Sequence, residues 1–365
     1  MTTNRASNGL AYRVLVAALV VAGVAFVLFV FWRFVTVLLL IFAAVLFAIL
    51  LSALALMLAE KTRLRRGAAL ATVIASLLLL VIALGTIAAP RISEQAAELR
   101  ESLPRSWEQV QKTIENSEWG SWILDNTGKD GEGIPGGQEM LARVPRIFST
   151  TVGALAQLLF VVFVGIYLAV RPDTYAQGLL KLFPISYRKR IAEVLGSTGY
   201  MLQWWLIGQA IIMAMVGVAT GVGLALLGIP LAMILGIIAA LFEFIPNIGP
   251  IIASIPAILM GFLISPAHAL YVAILYTAIQ QVESYVITPL IHRKTVSLEP
   301  ALTISAQVGL GLTLGWLGLI LATPLTAAAL VVTKMLYIED TLGDGVELEI
   351  PEEAKSRIEP SKEPA

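Results

Sequence analysis

Two carboxylates stand inside otherwise apolar runs: Glu243 within Leu231–Ile264 and Glu283 within Ala267–Ile291. A carboxylate at the centre of a bilayer costs roughly 2.5–3.5 kcal/mol on insertion scales, so it persists where it faces protein or water. Gln280 precedes Glu283 by three residues, which places the two on one helix face, with Gln281 beside them. Such a face can hydrogen-bond a hydroxylated solute, and a carboxylate can exchange a proton as a coupling group. The alternative is structural. The same groups can bond a neighbouring helix, each bond contributing about 0.6 kcal/mol in a membrane.

The segment Pro246-Asn247-Ile248-Gly249-Pro250 offers a different chemistry. Proline lacks an N–H and leaves carbonyls without helical partners. Irregular backbone at membrane depth must be buried in protein or line a wet cavity, and half-helix ends there present oriented dipoles to a polar solute or ion. A simple kink is the competing reading. Gln209 and Gln307 are further polar residues in apolar runs and candidates for lining a pore. Gly217, Gly221 and Gly223, and Gly311 with Gly315, have the spacing of close helix packing. His268 and His292 read as a loop residue and part of a basic edge cluster. With two histidines and no cysteine, His-rich and thiolate metal sites are excluded. No nucleotide-binding loop, serine elbow or zinc-protease helix occurs, so the chain does not read as an enzyme and needs no cofactor.

The elements that position these residues are membrane helices. Apolar residues make up 58% of the 365, charged residues 14%, and mean hydropathy is +0.85. A soluble domain carries about 25% charge. Full spans are expected at Val14–Trp32, Phe34–Ala59, Gly67–Ala89, Ile147–Val170, Trp204–Leu227 and Ala267–Ile291. The first is longer than a signal-peptide core and lacks a cleavage pattern. Leu231–Ile264 as one straight helix would run about 51 Å, too long for the bilayer core. It is broken at Pro246–Pro250. Ala301–Tyr337 is broken around Gly309, Gly311, Gly315 and Gly318, with Pro324 beyond. Both read as helical hairpins that enter and return, against the alternative of kinked or tilted full spans.

Charge sorting agrees. With the N-terminus in the cytoplasm, the short cytoplasmic segments hold Arg5, Arg13, Lys61–Arg66, Arg171–Arg190, Arg293, Lys294 and Lys334, while the short opposite loops hold Arg33. Net charge is zero, so no basic surplus points to nucleic acid. The outer segment Arg91–Arg146 begins with a helical stripe: Ile92, Ala96, Leu99, Leu103, Trp107, Val110 and Ile114. Pro104 is expected to kink it. The stripe can lie on the membrane or its own protomer, or form a subunit contact. Gly128–Gly137 reads as a mobile loop. Arg171–Met201 reads as an interfacial helix, its face Ile191, Val194, Leu195, Thr198 and Leu202, with Arg188–Arg190 toward an anionic leaflet. The tail is acidic and reads as disordered.

The sequence around the first break, Leu241-Phe242-Glu243-Phe244-Ile245-Pro246-Asn247-Ile248-Gly249-Pro250, resembles the autoinducer-2 exporter family of bacterial membrane proteins. Gly228-Ile229-Pro230, Ser265-Pro266, Gln280-Gln281-Val282-Glu283, Ile287-Thr288-Pro289, Leu298-Glu299-Pro300 and Ala322-Thr323-Pro324-Leu325 follow in the same order. The likeness spans Tyr12–Tyr337 in layout, and its specific motifs lie in Gly208–Leu336. One departure is the turn Leu-Ile-His-Arg-Lys after Pro289, where a glycine would be expected. The resemblance implies transport without a nucleotide-binding domain: some members export the quorum-sensing signal autoinducer-2, a small polyhydroxylated molecule, and others exchange sodium or lithium for protons. It also implies a homo-oligomer, a pentamer among the forms expected.

The sequence therefore describes an all-α polytopic transmembrane protein of a bacterial cytoplasmic membrane, both termini cytoplasmic. Its parts are a three-span segment (1–90), an external helix and loop (91–146), a transport core (147–337) and a tail (338–365). The expected function is export of a small polar solute, with protons or sodium as coupling ions. The rivals are a cation/proton antiporter and a scaffold or channel-like assembly. The expected site is Glu243, Pro246, Asn247, Gly249, Pro250, Gln280, Gln281, Glu283, Pro289, Gln307 and Pro324.

Overall fold

The computed structural model of the protein describes residues 34–115, 151–291 and 299–343. The expected first span, the glycine-rich loop, the His292–Lys294 turn and the tail beyond Gly343 lie outside the described residues. The start of the tail, expected to be disordered, is instead helical to Leu342. Among the described residues the elements are all helical. α1 is Phe34–Thr62, α2 Arg66–Glu115, α3 Thr151–Val170, α4 Pro172–Leu180 and α5 Ile185–Leu226. α6 is Ala232–Phe242 and α7 Ile248–Ile264. α8, Pro266–Val282, passes through a π-helical turn, Glu283–Ile287, into α9, Thr288–Ile291. α10 is Pro300–Thr333, extended by a π-helical stretch, Lys334–Leu342.

Two helices are longer than any span. α2 has 50 residues, about 75 Å, and joins the expected third span and the external stripe into one rod through Pro90 and Pro104. The expected separate elements are thus a single helix. The stripe packs on its own protomer: Leu99 and Leu103 are buried with Ile234, Leu235, Ala257 and Met260, and Trp107 packs against them. α5 likewise fuses the expected interfacial helix with the following span. Val194 and Leu202 do not lie on a leaflet; they enter a core with Leu39 and Leu46 of α1 and Leu321 and Val331 of α10.

Both interrupted stretches fold back. In α10, Gly315 takes φ 69° and ψ −151°, backbone that a side chain would strain. Gln307 Nε2 and Thr323 Oγ1, sixteen residues apart, are 3.2 Å from each other, where a straight helix would separate them by about 24 Å. The arms therefore lie side by side, with Gly315 midway. In the first stretch, Leu231 and Ile234 near its start share one core with Leu259 and Met260 near its end.

The two hairpins open toward opposite ends of the bundle. Gln95 lies about 44 Å along α2 from Arg66. Its Oε1 accepts the Ile234 N–H at 3.2 Å, capping the first hairpin's inbound arm. The second hairpin returns to the end where α5 begins. There Arg190 donates to both oxygens of Asp340, at 2.8 and 2.9 Å, and to the Met335 carbonyl at 3.0 Å. Glycines close the seam between α5 and α6: Gly217 and Gly221 face Gly236 at backbone contact.

Candidate functional site

The site forms where the first hairpin's tip meets its neighbours. α6 ends at Phe242 and α7 begins at Ile248, so the break covers 243–247. It lies a few residues before the expected Pro246–Pro250, because Gly249 and Pro250 already belong to the first turn of α7. A proline in that turn needs no N–H partner. Asn247 has φ 67° and ψ −52°, and the Ile248 N–H donates to the Pro246 carbonyl at 2.8 Å. This three-residue turn with positive φ is a strained conformation, of a kind that costs about 1–3 kcal/mol and persists where surroundings impose it. Gly249 is one such constraint. A Cβ there would fall 1.9 Å from the Phe242 carbonyl oxygen.

Glutamines hold the carbonyls freed by the break. Gln209 of α5 donates to the Glu243 carbonyl at 2.6 Å. Gln307 donates to the Pro246 carbonyl at 2.9 Å and to Thr323 Oγ1 at 3.2 Å. Gln307 is fully buried, and its Oε1 has no partner among the described residues. Aromatic edges complete the contact: Phe242 meets Trp316 of the second hairpin at 5.6 Å between ring centroids, and Phe244 meets Trp205 of α5 at 5.7 Å.

The two carboxylates are held differently. Glu283 opens the π-helical turn. Its Oε2 accepts from Gln280 Nε2 at 2.5 Å and from Ser284 Oγ at 3.1 Å, and its Oε1 from Thr288 Oγ1 at 2.5 Å. Thr288 is five residues on, a spacing that an α-helix would not bring together and a π-helix does. Glu243 is 2% exposed, and its carboxylate has no hydrogen-bond partner among the described residues. The two side chains lie close enough for their charges to interact. Glu243, buried without a donor among the described residues, offers a place for a proton, a cation or the hydroxyls of a polar solute, and Glu283 is a second, already bonded acceptor.

Of the expected site residues, the structure gathers Glu243, Pro246, Gly249 and Gln307 at the hairpin tip, and joins Gln280 to Glu283 in a separate network along α8 and its π-helical turn. Pro324 is buried beside Thr323. Asn247 is exposed at the tip. Gln281 and Pro289 point away: both are exposed, and neither takes part in the Glu283 network. Ser284, Thr288 and Thr323 do take part without having been singled out as site residues. Thr288 and Thr323 fall inside family-like motifs, but hydroxyls in apolar helices commonly bond their own backbone, so nothing marked them. Among the described residues no cluster of three His, Asp or Glu side chains could hold a metal ion.

Comparison with known proteins agrees with a transport role. The chain is 28% identical over 250 residues to YueF of Bacillus subtilis, a transport protein by name, covering 65% of this chain and 68% of that one. It is 30% identical over 165 residues to a second transport-named protein of that organism, YrrI, covering 45% and 47%. A cyanobacterial relative, sll0060 of Synechocystis, also named for transport, is 24% identical over 306 residues, covering 77% and 80%. The profile of AI-2E family transporters matches residues 19–338, and the chain belongs to that family of multi-pass membrane transport proteins.

Proposed function

We propose that this chain is a secondary transporter that exports a small polar solute across the bacterial cytoplasmic membrane, with the polyhydroxylated signal autoinducer-2 as the leading substrate. Both termini are cytoplasmic in this reading, and the working unit is a homo-oligomer. One observation carries it: Glu243, a carboxylate set in an apolar run, is buried without a donor among the described residues where the tip of the first hairpin meets the second. Glu283, already held by three donors, serves as the fixed acceptor for solute hydroxyls. Glu243 is the mobile partner, free to take a proton or the solute. Asn247 at the exposed tip adds an amide.

A second reading, sodium or lithium exchange for protons, draws on the Glu243 carboxylate, which has no donor among the described residues. One experiment separates the two. Proteoliposomes carrying the full chain are given labelled autoinducer-2 under an imposed pH gradient, with Glu283→Gln alongside. The expected result is gradient-dependent uptake that falls at least tenfold in the variant. No uptake by monodisperse protein that nevertheless exchanges sodium for protons would replace the first reading by the second. Full uptake by Glu283→Gln would remove that carboxylate from the mechanism.

A further inference from the structure

The sequence assigned contact with an anionic leaflet to Arg188–Arg190, but the fold uses two of these residues internally. Arg190 is clasped by Glu193, Glu339 and Asp340, and Arg188 donates to the Phe183 carbonyl. Another pair of arginines is left over. Arg66 begins α2 and Arg171 stands at the corner between α3 and α4. Neither side chain has a hydrogen bond or ion pair among the described residues. A cleft of about 430 Å³ opens between the two corners, with Ala55, Leu70 and Ala169 as its apolar wall and Arg66, Arg171 and Asp173 among its polar groups.

The depth of this cleft follows from the chain path. α3 is an apolar helix of spanning character, and the chain turns by 88° from it into α4. α4 buries no residue and exposes Tyr175 and Leu179, as a helix lying in the membrane surface does. A helix lying in the membrane surface would place Arg171, at that corner, at headgroup level. Farther along the same helices, Leu78 of α2 and Phe163 and Tyr167 of α3 are exposed and offer surface to acyl chains. A guanidinium presents two parallel N–H donors to a phosphate. Two unpaired guanidiniums over an apolar wall match a ligand that is anionic at one end and oily at the other.

We propose that this cleft binds the headgroup of an anionic phospholipid, with Arg66 and Arg171 on the phosphodiester and the acyl chains along α2 and α3. Asp173 discriminates within the class. It repels a free phosphate dianion and accepts hydrogen bonds from headgroup hydroxyls, such as those of phosphatidylglycerol. The site is independent of the transport reading.

The test uses the full chain purified in neutral detergent and measures thermal unfolding with added phosphatidylglycerol, phosphatidylcholine or inorganic phosphate. Phosphatidylglycerol is expected to raise Tm more than phosphatidylcholine. R66Q/R171Q should abolish that difference, and K181Q/K189Q, which removes equal charge elsewhere, should keep it. If the double variant is not monodisperse, the single variants R66Q and R171Q decide, each expected to lose at least half the difference. Equal stabilisation by both lipids, or an unchanged difference in the arginine variants, overturns the proposal. Inorganic phosphate reproducing the shift at the same concentration overturns it in favour of a free-anion site.

Discussion

Glu243 and Glu283 illustrate how function and stability part company at single residues. Glu283 is satisfied by Gln280, Ser284 and Thr288, whereas Glu243 is buried without a donor among the described residues. Replacing Glu243 by leucine removes a buried polar group that no bond offsets. Glu243→Leu should therefore raise Tm, the gain in stability staying below the roughly 2.5–3.5 kcal/mol insertion cost of a carboxylate, while solute flux is lost. A lower Tm would show that the carboxylate is held by a partner in the folded protein. Gln307→Leu makes the complementary case. It removes the bonds to Pro246 and Thr323 and an amide oxygen that has no partner among the described residues. Stability should change by less than about 1.5 kcal/mol, given about 0.6 kcal/mol for each of two membrane hydrogen bonds, and initial transport rates should still fall severalfold. Unchanged rates would make Gln307 a brace only. The carboxylates were legible in the sequence because a charge in an apolar run has few explanations. Thr288 was not, because its contact with Glu283 depends on a π-helical register that hydrophobic periodicity does not reveal.

The hairpins place these residues, and each depends on one glycine for a different physical reason. Gly315 needs its positive φ with ψ near −151°, a conformation that costs an L-residue about 1–3 kcal/mol. Gly249 needs its missing Cβ, because the Phe242 carbonyl occupies that space. Gly249→Ala should thus be the harsher change, with the folded yield collapsing because a backbone atom cannot move aside. Gly315→Ala should give folded protein with a lower Tm. Gly309→Ala, on a helical arm with nothing near its Cα, should leave yield and Tm unchanged. Size-exclusion yield and thermal unfolding of the three variants check the order, and equal behaviour of Gly249→Ala and Gly309→Ala would contradict the tip geometry. The existence of both breaks could be read from proline and glycine. Their positions could be read only approximately, since Pro250 fits inside the first turn of α7 and leaves the irregular backbone to 243–247. The fusion of the third span with the outer helix was hidden for a related reason: Pro90 and Pro104 look like breaks, yet the helix continues through both.

Across the whole molecule, hairpins that open toward opposite ends meet through aromatic and glutamine contacts beside the buried Glu243. Gln95 caps the first hairpin at one end, and Arg190 clasps the return of the second at the other. The sorting of basic residues along the sequence anticipated part of this, since Arg66 and Arg171 do share one cleft. The meeting of the two tips could not be anticipated, because apolar surface is complementary to almost any other apolar surface. Such an arrangement gives each end its own hairpin to move, so access from either end would require the contact of Phe242 with Trp316 to open. The absence of native cysteine makes this testable without background. In F242C/W316C, a short bis-maleimide should bridge positions whose native rings lie 5.6 Å apart. Uptake by the bridged protein should fall at least tenfold relative to the unreacted double variant, while either single variant treated with the same reagent keeps its rate. Undiminished uptake by fully bridged protein would mean that the hairpins travel as one body. The moving boundary would then lie between them and the seam that Gly217 and Gly221 form with Gly236.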